Sequence, residues 1–349
     1  GSLFQIILQP KKRNELGAFF TSVVNIKKLI DNLFINELKN ELKKISEIKN
    51  ESKYYQLKKF YEKISNLKFL DPACGSGNFL IVAYTEIRKL ELEILKLTND
   101  NFNISSSKIK IENFVGFEID KLAVNIAKLS IWISEHISDR LLSIHLEKQI
   151  FNIPLSDKPN IFCINALSKN GSVVNWFDEK TFDYVFGNPP FIGKQNRNVE
   201  QKKDMEIVYS KVKKIKFKEL DYVSCWFYIC AKIIDENPNT KAAFVTTDSI
   251  IQGEQSSILW YIVFNQFNID FNFALTSFKW SAEISNTSNV SVAIIGLKNS
   301  NKKEKKYILE HVNKNELIKK EVKNINNYLL NTDNTFVFSI KNHINYNIK

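Results

Sequence analysis

Apolar residues at Val23, Ile26, Leu29, Ile30, Leu33 and Phe34 recur every three or four positions, the spacing of one face of a helix. A charged stretch over 36–63 follows, so the chain is predicted to be helical over 23–64. Beyond it the period changes. Short runs rich in aromatic and β-branched residues occur at 68–70, 114–117, 161–164, 184–186 and 243–245, each ending in a small or polar residue. Between them, 79–97, 121–137 and 222–234 keep helical spacing. Alternating strand and helix predicts an α/β fold: a mostly parallel sheet with helices on both faces. Two more strand-like runs, 270–275 and 290–297, have no good helix between them, which predicts a terminal antiparallel hairpin on the sheet edge. That makes seven strands. From Asn299 the chain turns Lys- and Asn-rich and reads as a linker. The predicted organisation is a helical segment over 1–65, an α/β domain over 66–298 and a linker over 299–349, with no internal repeat.

Composition narrows the class. With 349 residues, 44% hydrophobic, the chain can bury a large core. Its formal net charge of +11 makes a polyanionic partner plausible, although a basic solvated surface reads the same way. The four cysteines form no Cys-x-x-Cys pair and the four histidines are scattered, so neither a metal site nor a disulfide framework is expected. A reducing, cytoplasmic setting follows. No apolar run approaches ~18 residues, so no membrane span is predicted. The opening Gly1-Ser2 has the look of a cloning scar, and the chain is read as a piece of a longer protein.

The first strand runs into Asp71-Pro72-Ala73-Cys74-Gly75-Ser76-Gly77-Asn78-Phe79, where a helix begins. Ligands of α/β sheets sit beyond the carboxyl ends of strands, which is where this turn falls. Gly75 and Gly77 permit positive φ and close backbone approach. The turn lacks the third glycine of a dinucleotide site and the Gly-Lys-Ser/Thr of a triphosphate site. Asp71 would repel a phosphate but suit a ligand carrying an ammonium or sulfonium. The second strand ends in Glu118, which can accept both hydroxyls of a ribose, with Ile119 placed to lie on an adenine face. The third ends in Asn165-Ala166-Leu167, where an Asn can pair with an adenine edge. Each feature alone also reads as turn, surface or cap; three at successive strand ends point to a nucleoside-bearing ligand.

The sharpest signal is Asn188-Pro189-Pro190-Phe191 directly after the fourth strand. Prolines fix φ and restrict the residue before them, so the bend is rigid. It offers the Asn188 side-chain oxygen and the Pro189 carbonyl as two fixed acceptors, a match for the two N–H donors of an exocyclic amine. Phe191 supplies a face on which a base can stack. Downstream, Lys194, Arg197, Lys202, Lys203, Lys211, Lys213, Lys214, Lys216 and Lys218 crowd a stretch that could hold phosphates or be a solvated loop.

These motifs resemble the amino-group-specific DNA methyltransferases, in particular the methyltransferase region of single-chain restriction–modification enzymes of the MmeI type. The resemblance covers roughly 16–297 and implies a Rossmann-like class I methyltransferase fold with S-adenosylmethionine as cofactor. It matches Asp71 to Phe79 with the family's first motif, Glu118 with its second, Asn165 with its third and Asn188 to Phe191 with its catalytic fourth. Gly17-Ala18-Phe19-Phe20-Thr21 resembles an upstream motif whose Phe and Thr, here Phe20 and Thr21, close over the methionine end of the cofactor. Asp221-Tyr222-Val223 and Phe227 resemble the helix lining the far side of the pocket, and Phe278-Lys279-Trp280 the late motif that holds an extruded base. An Asn at the first catalytic position favours adenine N6 over cytosine N4. The resemblance implies duplex DNA as partner, base flipping, and target-recognition and possibly nuclease domains of the same parent chain outside these residues. Glutamine methylation of a protein, RNA adenine methylation and a non-catalytic specificity module remain alternatives; the upstream motif and the basic stretch favour DNA.

Overall fold

A computed structural model of the chain describes residues 21–98, 102, 106–147, 158–168, 181–212, 215–280, 290–311 and 317–338. Helix α1 (Val23–Ile30) begins at Ser22, whose hydroxyl accepts the Asn25 N–H at 3.4 Å. It continues through a π-type turn (Asp31–Ile35) into α2 (Asn36–Ser46), and α3 (Ser52–Asn66) follows. Strand β1 (Phe69–Asp71), α4 (Asn78–Leu97), β2 (Phe114–Glu118), α5 (Lys121–Leu146), β3 (Ile161–Cys163) and β4 (Tyr184–Gly187) come next. Then come α6 (Val199–Val208), α7 (Ser224–Glu236), β5 (Lys241–Thr247), α8 (Gly253–Gln266), β6 (Ile269–Trp280) and β7 (Val290–Asn299).

The strands β3-β2-β1-β4-β5 are parallel neighbours, so their carboxyl ends share one edge of the sheet. Both faces are covered, which is why these strands read as short continuous apolar runs rather than clean alternations. Leu70, Val115, Val185 and Phe244 point into a core with α7 and α8; Phe69, Phe114, Phe186 and Val245 point into the opposite core with α1 to α5. The second core is aromatic at its centre, where Phe69 stacks on Phe114 with ring centroids 4.5 Å apart.

Three expectations need correction. The sheet has nine strands rather than seven, because β8 (Lys306–His311) pairs with β6, and β9 (Leu317–Val322) pairs with β8. The β6–β7 hairpin is present but does not form the edge: β7 inserts between β5 and β6, antiparallel to both. And 306–322, read as linker, belongs largely to the sheet. Its lysines hid the alternation, yet they pair across strands, Lys320 with Glu310 at 2.6 Å and Lys305 with Glu321 at 2.7 Å. A charged, short strand is also the ordinary way to finish a sheet without inviting further pairing.

Gly296 on β7 lies opposite Phe273 on β6, where a register shift between Phe271 and Phe273 lays the phenyl ring over the glycine. A Cβ there would fall far inside contact distance of the ring carbons. Gly296→Ala is expected to cost about 1–3 kcal/mol by overpacking, read as a lower denaturant midpoint, with Phe273→Leu restoring part of it. An unchanged midpoint would mean the ring does not constrain the position.

Candidate active site

Sheet order reverses between β1 and β4: β2 and β3 lie to one side of β1, β4 and β5 to the other. A crevice opens at such a switch point, beyond the carboxyl ends of the two strands. Asp71 ends β1 there and Gly187 ends β4. The two ends are so close that a Cβ on Gly187 would collide with the Asp71 carboxylate. Glycine is required at that position by this contact.

Asp71 is 1% exposed. Its Oδ1 accepts the Ala73 N–H at 3.1 Å, while Oδ2 is buried with no hydrogen-bond partner among the described residues. Burial, assisted by the nearby Glu118 charge, pushes the carboxyl up to about 8. The turn after it is tied to β2 twice. The Cys74 N–H donates to the Phe117 carbonyl at 2.9 Å, and the Gly75 N–H donates to Glu118 Oε2 at 3.0 Å. Gly75 and Gly77 sit at φ +54° and +82°, the left-handed region open to glycine. Gly77 also lets the start of α4 approach Ala127 on α5. Ala73 and Asn78 are half-buried at the crevice, whereas Phe79 turns into the core.

Glu118 is held by three backbone donors: Ile119 and Asp120 to Oε1 at 2.8 and 2.9 Å, and Gly75 to Oε2. Burial still raises its carboxyl above the ordinary range. Ile119 follows immediately and is 58% exposed, an aliphatic side chain left without cover beside the glycine turn. Asn165 is half-exposed just past β3; its Oδ1 accepts the Leu167 N–H at 2.9 Å and its Nδ2 donates to Asp204 Oδ2 at 3.0 Å. Its neighbour Ala166 is buried.

On β4's side, Asn188 Nδ2 donates to the Thr21 hydroxyl at 3.1 Å, across 167 residues of sequence. Asn188 Oδ1 is buried with no hydrogen-bond partner among the described residues. Thr21, 3% exposed, is thus brought to the Asn-Pro-Pro bend, while Phe20 lies outside the described residues. Pro189 is buried, Pro190 and Phe191 are half-buried, and Phe191 packs against both cores. The far wall is anchored to both turns: the Tyr222 N–H donates to the Ile192 carbonyl beside the bend at 2.9 Å, and Trp226 Nε1 to the Pro72 carbonyl in the glycine turn at 3.4 Å. Phe278 lies on β6 with the Lys28 ammonium 4.6 Å above its ring; the side chains of Lys279 and Trp280 lie outside the described residues.

The basic stretch is more ordered than a solvated loop. Asn198 and Gln201 form a capping box that starts α6. Arg197 does not face a ligand: it is 7% exposed and donates to the Lys218 carbonyl at 2.7 Å. Lys194 pairs with Glu219 and Lys218 with Glu206 on the surface. Lys202, Lys203, Lys211 and Lys216 are exposed, and Lys213 and Lys214 lie outside the described residues. Sequence reasoning missed α6 and its inward-facing Asp204; Met205, Tyr209 and Val212, buried at helix-like spacing, were the available signal. Burial raises the thiols of Cys74, Cys225 and Cys230, which removes them as nucleophiles.

The Asp71 environment yields a pH prediction. A carboxyl whose folded pKa is raised from 3.8 to about 8 binds its proton more tightly folded than unfolded. Its contribution is therefore full below about 4 and is lost as pH climbs towards about 8. Asp71→Asn, which copies the protonated acid, is expected to gain stability relative to the wild type between those limits, levelling off above. Parallel denaturation of the two ligand-free proteins across pH checks this; a constant difference would mean the carboxyl is ionised throughout.

The family model for "MmeI, DNA-methyltransferase domain" matches residues 43–310. The chain is 38% identical over 346 residues to DNA methyltransferase A of Bacillus subtilis (strain 168), covering 97% of this chain and 37% of that protein. Its structure is similar to that of the Type IIL restriction-modification enzyme MmeI in complex with DNA, with a TM-score of 0.85 at 35% identity, covering 95% of this chain and 43% of that one. A nuclease-deletion mutant of the Type ISP restriction-modification enzyme LlaGI, at 16% identity and TM-score 0.54, shares the fold. The chain spans less than half the length of the first two proteins. It belongs to the MmeI DNA-methyltransferase domain family.

Proposed function

We propose that this chain transfers a methyl group from S-adenosylmethionine to the exocyclic N6 of an adenine flipped out of duplex DNA, as the modification activity of a restriction–modification enzyme. The observation that carries the reading is a pair of buried oxygens without hydrogen-bond partners among the described residues: Asn188 Oδ1, just past Gly187, and Oδ2 of the Asp71 carboxylate against which Gly187 packs. Unpaired buried polar atoms are costly, and two at one crevice are the signature of partners that arrive with ligands.

The residues fit S-adenosylmethionine. Asp71 can ionise against its positive charge, Glu118 presents a carboxylate oriented for ribose hydroxyls, and exposed Ile119 offers an apolar face to adenine. Phe20, Thr21, Ala73, Asn78, Asn165 and Ala166 are proposed to complete the cofactor site, while Phe79, turned into the core, supports the glycine turn from behind. S-adenosylmethionine supplies a methyl group already activated for transfer, so the protein's part is orientation rather than acid–base chemistry.

Asn188 Oδ1 and the Pro189 carbonyl are proposed to accept the two amine N–H groups. An aromatic amine delocalises its lone pair into the ring; two acceptors placed for tetrahedral nitrogen favour the form whose lone pair can attack. An amide is a poor base, so the released proton passes to solvent after transfer. Phe191 stacks on the base, worth ~1–3 kcal/mol. Flipping costs a few kcal/mol, and the exposed lysines on and beyond α6 are proposed to hold the flanking phosphates. The relatives that act on or bind DNA support this substrate, and their greater length supports sequence choice by a target-recognition segment outside these residues.

Two variants test the assignment. Asn188→Ala is expected to lower methyl transfer by about 10²–10³-fold while the cofactor Kd changes little; lost cofactor affinity in calorimetry would contradict the role. Glu118→Ala is expected to weaken cofactor binding, and an unchanged Kd would put the ribose elsewhere. Digesting labelled DNA to nucleosides identifies the product: label in N6-methyl-2'-deoxyadenosine supports the reading, and label only in protein or RNA acceptors overturns it.

A further inference from the structure

Helix α6 presents two kinds of side chain. Lys202 and Lys203 are exposed; Asp204 and Met205 are buried, Asp204 at 7% exposure. Asp204 Oδ2 accepts two hydrogen bonds from separate elements: Asn165 Nδ2 at 3.0 Å, just past β3, and the Tyr222 hydroxyl at 2.6 Å, from the start of the far wall. Both partners reach onward to the crevice. Asn165 stands where the adenine end of the cofactor is proposed to lie. Tyr222 bonds the catalytic bend through its backbone N–H and meets Trp226 edge-to-face, with centroids 5.2 Å apart; Trp226 in turn bonds Pro72 in the glycine turn.

We infer that Asp204 is a positioning residue for the cofactor: one carboxylate sets the Asn165 amide and the Tyr222 hydroxyl in register, joining the lysine-bearing helix to the cofactor crevice. The inference rests on the cofactor reading above. A carboxylate oxygen is suited to this task because it can accept both bonds at once. Without it, Asn165 keeps its Oδ1 contact to Leu167 but loses the bond that fixes which way its amide nitrogen points. Because α6 also carries the lysines proposed to meet phosphates, any shift of the helix on DNA binding moves the acceptor for Asn165. Linkage then requires cofactor and DNA each to alter the other's affinity by the same factor.

The test is calorimetry of the whole chain with S-adenosylhomocysteine. Asp204→Ala is expected to raise its Kd about tenfold, and Asp204→Asn, which keeps a neutral acceptor, no more than about threefold. Asn165→Ala removes the other half of the contact at a half-exposed position, so it tests the pair should Asp204→Ala fail to fold. Adding Asp204→Asn to Asn165→Ala should then cost less than Asp204→Asn costs alone, because one of its two bonds is already gone. A wild-type Kd in Asp204→Ala, equal losses in the Ala and Asn variants, or additive losses in the double variant would each overturn the inference. Failure of the wild-type chain to bind S-adenosylhomocysteine is a separate result, which removes the cofactor reading and this inference with it.

Discussion

The contact between Asp71 and Gly187 fixes the geometry of the crevice. Two parallel strands end side by side, and the carboxyl of one occupies the space that any side chain on the other would need. The glycine turn therefore follows β1 and the Asn-Pro-Pro bend follows β4 with no freedom to drift apart. Sites built on adjacent strand ends are held more tightly than sites on loops. The same packing strips water from Asp71, which is why its carboxyl is pushed up to about 8 and one oxygen lacks a partner. Close approach and an unsatisfied acid are two consequences of one constraint.

The crevice is braced from outside by elements remote in sequence. Thr21 reaches Asn188, Trp226 reaches Pro72, and the Tyr222 backbone holds Ile192. Each bond ties one of the two strand-end turns to an element distant in sequence. None is strong alone, since a net hydrogen bond contributes about 0.5–1.5 kcal/mol. Together they leave the Asn188 amide one orientation, its nitrogen engaged by Thr21 and its oxygen spare. Preorganised acceptors of this kind need no rearrangement when charge develops, and that is where their catalytic worth arises.

Much of this was legible in the sequence, for a physical reason. The strands at 69–71, 114–118 and 184–187 are buried on both faces, so they appear as apolar runs, and each ends in a residue whose chemistry differs sharply from the run. What escaped were features whose signal is non-local or mixed. Strands β8 and β9 read as linker because cross-strand charge pairs mimic solvated sequence. Helix α6 was masked by its lysines, though Asn198 and Gln201 announced its start. Asn165 was legible as a strand-end residue, but its engagement by Asp204 depends on a bond spanning 39 residues, which no local pattern encodes. Arg197 shows the converse error: a positive charge counted as a phosphate contact is buried and serves the backbone of its own loop.

Charge is distributed unevenly around the crevice. The chain is strongly basic overall, at +11, yet Asp71, Glu118 and Asp120 cluster around the glycine turn. The exposed lysines lie on and beyond α6, outside the crevice. Screening confines each field to about 8 Å at physiological salt, so the exposed lysines, and not the buried Asp71 and Glu118, govern the first encounter with any polyanion. On the function proposed above, a cationic ligand beside Asp71 would restore the charge that burial suppresses. The acids and the exposed lysines thus occupy separate parts of the domain, with the uncharged Asn188 beside the acids.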